Sequence, residues 1–71
     1  MQYNYNKLLG KIKEKGFTQR AVAEKLNIKD TTFSQKLNNK AHFKQSEIAN
    51  MCALLDISDN DIGAYFFTHK V

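Results

Sequence analysis

The side chains best placed for chemistry lie in one stretch, residues 19–38, which reads QRAVAEKLNIKDTTFSQKLN. Their types suit recognition. Thr31, Ser34 and Gln35 can hydrogen-bond to base edges, and a glutamine amide can pair with adenine at two points. Gln19 and Arg20 fall at a helix start, where backbone N–H groups and the helix dipole favour a phosphate. Lys36, Lys40 and Lys44 flank the same segment and suit phosphate contact. Lys29, Thr32 and Asn38 complete its polar outer face. Asp30 is of the opposite type. A carboxylate aimed at a groove repels phosphate and can accept only from a cytosine amino group; turned back on its own helix, it acts as an N-cap instead. Bond-making chemistry has no comparable constellation. The chain offers no Ser/His/Asp grouping, no paired carboxylates and no glycine-rich phosphate loop. His42, His69 and the single Cys52 do not make a zinc ligand set. The expectation is a binding protein, not an enzyme, with no metal and no cofactor.

These side chains need helices to carry them. The spacing predicts a first helix from about Tyr5 to Lys15, capped by Asn4 or Asn6, with Tyr5, Leu8, Leu9 and Ile12 on its apolar stripe and Gly16 as its stop. Lys7, Lys11, Lys13 and Lys15 lie largely off that stripe. They read first as a solvated face and second as phosphate contacts. Thr18 is the cap of a second helix, with Phe17 and Val22 as a hydrophobic staple. Val22, Ala23 and Leu26 face inward, and Asn27 permits the turn. A third helix covers roughly Asp30 to Leu37, with Phe33 and Leu37 inward. A fourth covers about Gln45 to Leu55, with Ile48, Met51, Cys52 and Leu55 buried. Ser58 caps a last short helix anchored by Ile62.

Two short helices crossing steeply make one of them protrude, and the crossing needs a small residue where the backbones meet, a tight turn and apolar locks. Ala23 is the small residue and Asn27 gives the turn. Val22, Leu26, Ile28, Phe33 and Leu37 are the locks. The reading is an all-α, single-domain chain over 1–71, with a helix-turn-helix at about 18–38 and an apolar tail at 65–71.

Composition narrows the class. The net charge of +4 is unevenly placed: residues 1–44 carry ten Lys/Arg against three Asp/Glu, a net of +7, and residues 45–71 carry one Lys against four acids, a net of −3. A basic front suggests a polyanion met by one face. One cysteine among 71 residues implies a reducing cytosol and no disulfide framework. No apolar run approaches the roughly 20 residues of a membrane span. Tyr65, Phe66 and Phe67 are too apolar to be left without a partner surface, and read as part core and part homodimer interface.

At Gln19, Ala23, Asn27, Ile28 and Phe33 the chain resembles the helix-turn-helix family of phage Cro and cI-type repressors. The resemblance covers about residues 5–62. It implies a compact five-helix, lambda-repressor-like bundle in which the third helix enters the major groove of operator DNA. By it, Gln19 touches phosphate, and Asp30, Thr31, Ser34 and Gln35 face bases. Asn27 departs from the family's usual glycine. The KLLGKIKEKGFTQ opening and the EIANMCALLDI and YFFTHKV segments also look like short switch-region proteins of Gram-positive phages, some of which are anti-repressors. Two functions follow from the resemblance. The first is a transcriptional regulator that binds double-stranded operator DNA, as a dimer, in the bacterial cytoplasm. The second is an anti-repressor that binds a partner phage repressor in a lysis/lysogeny switch.

Overall fold

The computed structural model describes residues 2–71. Its first helix, α1 (Asn6–Glu14), has Tyr5 and not Asn4 or Asn6 at the cap position; Asn4, one residue further out, still accepts the Asn6 N–H on its side-chain oxygen at 2.8 Å. Leu8 and Ile12 are buried and Leu9 is half-buried, as the stripe requires. Gly16 closes the helix with φ +81, a conformation that costs a Cβ-bearing residue more.

The pair α2 (Gln19–Lys25) and α3 (Asp30–Leu37) follows from three local features. The Thr18 hydroxyl accepts the Ala21 N–H at 3.0 Å and fixes the start of α2. Asn27 takes φ +59, so the Ile28 N–H turns back to the Ala23 carbonyl at 3.0 Å. Lys29 is extended and releases the chain into α3. Val22, Ala23 and Phe33 are almost completely buried between the two helices and the rest of the core.

Helix α4 (Gln45–Leu55) ends at Asp56, which is left-handed at φ +56 and lets buried Ile57 donate to the Cys52 carbonyl. A single 3₁₀ turn, Asp59–Asp61, leads into α5 (Ile62–Phe66). Ser58 does not cap this turn through its side chain. Its hydroxyl donates to the Asp61 carboxylate at 3.1 Å, because the 3₁₀ turn brings that side chain back over it.

The core is one cluster in which Leu8, Val22, Phe33, Met51, Leu55 and Phe66 are the largest fully buried side chains. Phe43, in the loop between α3 and α4, joins it. Its ring meets Tyr5, Phe33 and Phe66 edge-on at centroid distances of 5.4, 5.9 and 6.0 Å, the arrangement the ring quadrupole favours.

The two ends of the chain are tied together. Tyr3 and His69 form an isolated antiparallel bridge, with the Lys70 N–H donating to the Gln2 carbonyl at 3.0 Å. Among the described residues there is no β-strand beyond this bridge, and no helix is long and apolar enough to cross a membrane.

Candidate functional site

Helix α3 is eight residues long, and its periodicity sorts its side chains. Phe33 and Lys36 are buried and Leu37 is half-buried. Thr31, Gln35 and Asn38 lie on the opposite side and are exposed; Thr32 and Ser34 are half-buried at the flanks. Gln19, Arg20, Lys29, Asp30 and Lys40 are exposed as well. The fold therefore leaves Thr31, Gln35 and Asn38 as an exposed polar stripe along α3, with exposed Lys29 and Asp30 before it and exposed Lys40 after it.

Three features depart from expectation. Lys36 is not a surface cation. It sits three residues after Phe33, on the inward side, and its ammonium bonds the Glu47 carboxylate of α4, with an Nζ–Oε2 distance of 2.7 Å. Both side chains are less than a tenth exposed. Burying a lone charge is costly, so the pair survives only because each ion is the other's partner. Glu47 also accepts the Lys44 N–H at 2.9 Å and so caps α4. Burial works to raise the Glu47 pKa; the Lys36 hydrogen bond, the Lys44 N–H and the two lysine charges outweigh it and leave the carboxyl below its usual value.

Asp30 is not an N-cap. Lys29 holds the cap position, and Asp30 is the first residue of α3, exposed, in the turn where a carboxylate suits the helix dipole. Its charge faces solvent at the front of the polar stripe. Asn38, in turn, is committed internally: its amide donates to the Ser34 carbonyl at 2.9 Å and caps the end of α3.

The aromatic tail divides. Phe66 is 1% exposed and belongs to the core, four residues after half-buried Ile62, so it is removed from any interface. Tyr65 is half-buried, with the Lys7 ammonium 4.9 Å from its ring centroid. Phe67 remains 47% exposed. Two lysines in and just after α1 are engaged within the molecule: Lys11 bonds Glu14 at 3.0 Å and Lys15 bonds Asp56 at 3.1 Å. Burial and the nearby Asp59 charge raise the Cys52 thiol pKa, which keeps it protonated and unreactive. Among the described residues no three His, Cys, Asp or Glu side chains come together as a metal site.

Sequence reasoning missed Glu47, Phe43 and Asn39. Asn39 is left-handed at φ +64, and its amide brackets the N-terminal arm, accepting the Tyr3 N–H at 2.8 Å and donating to the Tyr3 carbonyl at 3.0 Å. Its place just after the last turn of α3 suits a turn residue, but nothing in the sequence links it to Tyr3.

Five short helices around one aromatic-rich core, with a polar stripe raised on α3, define a small all-helical protein whose candidate site is that stripe. Over residues 1–69 the sequence matches the family described as "Protein of unknown function (DUF739)", and the chain belongs to that family. It is also similar to the modulator of repression (MOR) of the temperate bacteriophage TP901-1 from Lactococcus lactis, known from a solution structure. The identity is 42%, the TM-score is 0.80, and the match covers 100% of this chain and 96% of that one. No curated protein matches the sequence.

Proposed function

We propose that this chain is a non-catalytic phage regulator that acts on repression by binding a partner repressor protein, with α2 and α3 serving as a helix-turn-helix turned to protein recognition. The observation that carries the reading is the full-length likeness, at 42% identity, to a modulator of repression. The geometry supports it in two ways. Asp30 presents a free carboxylate at the front of α3, where a phosphate backbone would repel it. Lys36, the one cation within α3, is turned inward onto Glu47. The outward stripe that remains, Thr31 and Gln35 beside Asp30, can donate and accept with a protein surface as readily as with bases.

A second reading, operator binding by α3 in the major groove, rests on exposed Gln35 and Thr31 between the cations Lys29 and Lys40. Isothermal titration separates the two. The protein is titrated into the phage repressor proposed as its partner, and separately into an operator duplex. The proposal expects saturable heat with the repressor and none with the duplex. Saturable, sequence-dependent duplex binding that weakens steeply with salt, together with no heat from the repressor, contradicts it.

A further inference from the structure

A recess of about 90 Å³ opens between the paired chain ends and the loop after α3. Tyr5 and Phe66 are its buried members, Tyr3 and Phe43 are half-buried, and His42 and Phe67 are exposed at its mouth. Phe67 is the most exposed large apolar side chain before the terminal residue, and its ring stands edge-on to Tyr3 at 5.7 Å. The aromatic face is held in place rather than draped. Asn39 fixes the Tyr3 backbone from one side and the tail pairs with it from the other.

The segments that supply most of the lining carry exposed charge of one sign: residues 2–5, 38–44 and 66–71 contain Lys40, Lys44 and Lys70, all exposed, and no Asp or Glu. The acid beside the remaining lining residue, Ile48, is Glu47, buried and paired with Lys36. A second copy meeting this face across a two-fold axis would set these lysines against themselves, at a cost. Duplex DNA, with its bases stacked inside, would satisfy the lysines and leave the aromatic recess unfilled. A protein segment that carries carboxylates beside one apolar residue satisfies both. At about 90 Å³, against the roughly 150 Å³ of a cavity that encloses benzene, the recess has room for one small apolar side chain, and an aliphatic one is the occupant put to the test.

We propose that this recess is a docking site for an aliphatic side chain flanked by acidic residues on a partner protein. It is a second contact surface beside the α3 stripe, and it rests on the reading that the partner is a protein. The test uses no repressor. The capped pentapeptide Glu-Glu-Leu-Glu-Glu is titrated into the isotopically labelled full chain, and backbone amide shifts are followed by NMR. The expected result is saturating shifts at Tyr3, Phe43 and Phe67, with none at Thr31 or Gln35. Replacing the peptide leucine by alanine weakens the binding about tenfold or more. Lys40→Glu with Lys70→Glu weakens it about threefold or more, and both positions are exposed enough for the fold to survive. Phe67→Ala abolishes the shifts.

Equal shifts from the alanine peptide, equal shifts from Lys-Lys-Leu-Lys-Lys, or no shifts at these amides at millimolar peptide would overturn the proposal. So would a concentration-dependent dimer that Phe67→Ala dissolves, since that would give the face to a second copy. Peptide shifts here without repressor heat would sink the proposed function alone; repressor heat without peptide shifts would sink this site alone.

Discussion

Lys36 of α3 and Glu47 of α4 form an ion pair inside the molecule, at 2.7 Å from Nζ to Oε2, with side chains 7% and 8% exposed. The pair joins the helix that carries the polar stripe to the helix behind it, and it takes a cation off the exposed face of α3. Lys36→Met removes one partner and leaves a buried carboxylate, which costs about 3–5 kcal/mol. That is a large share of the roughly 5–15 kcal/mol that holds a domain folded. In urea unfolding followed by circular dichroism, the single variant is expected to lose most of its folded baseline. Lys36→Met with Glu47→Leu recovers stability to within about 1–2 kcal/mol of the parent, the residual being the lost cap on the Lys44 N–H. A single variant as stable as the parent would show that the pair contributes nothing.

The same pair sets a pH dependence. The Glu47 pKa is lowered on folding, so its contribution is present above the unfolded value, near 4.5, and is lost as pH falls through the folded value. The melting temperature is expected to hold between about pH 5 and 7 and to fall below about pH 4.5. Lys36→Met with Glu47→Leu flattens that fall. Glu14 is also lowered, by its hydrogen bond to Lys11, but it is fully exposed and salt screens it. An acid limb that survives in the double variant at high salt would assign it to other carboxylates.

Asn39 couples the end of α3 to the N-terminal arm through two hydrogen bonds to the Tyr3 backbone. Asn39→Gly keeps the left-handed turn and removes both bonds, at about 1–2 kcal/mol. Hydrogen exchange is expected to quicken at the Asn4 and Lys70 amides, which pair the arm with the tail, and to stay unchanged at the Leu8 and Met51 amides in the core helices. Unchanged exchange at Asn4 and Lys70 would mean the chain ends hold each other without Asn39.

Much of this architecture is legible in the sequence, and the parts that are not have physical reasons. Thr18, Asn27 and Gly16 are local signals, each satisfied within a few residues of itself, and they place α2, α3 and the end of α1 where the structure has them. Lys36 read as outward because lysine is seldom buried. Its spacing, three after Phe33, put it on the core side all the same, and Glu47, four before Met51, carried the matching signal on α4. Phe66 and Phe67 are neighbours of one chemical type, and only the spacing of Phe66 from Ile62 separates core from surface. The pairing of Tyr3 with His69 and Asn39 joins residues far apart in the chain, which no local pattern encodes.

On the α3 stripe, Asp30 distinguishes a protein partner from DNA. Asp30→Asn keeps the size and removes the charge. With a repressor partner that uses the carboxylate, affinity falls by about 1–3 kcal/mol in calorimetry, the range for a hydrogen bond to a charged group. With DNA as the target, removing the repulsion strengthens binding instead. Gln35→Ala, also exposed, weakens either complex and serves as a control that the stripe is the surface in use.

The most direct measurement is an electrophoretic mobility shift with three components: operator duplex, the phage repressor proposed as partner, and this protein. The protein alone is expected to leave the duplex unshifted, and rising amounts of it are expected to change or abolish the repressor–operator band. A band that this protein forms with the operator by itself, alongside a repressor–operator band that it leaves untouched, would contradict the account.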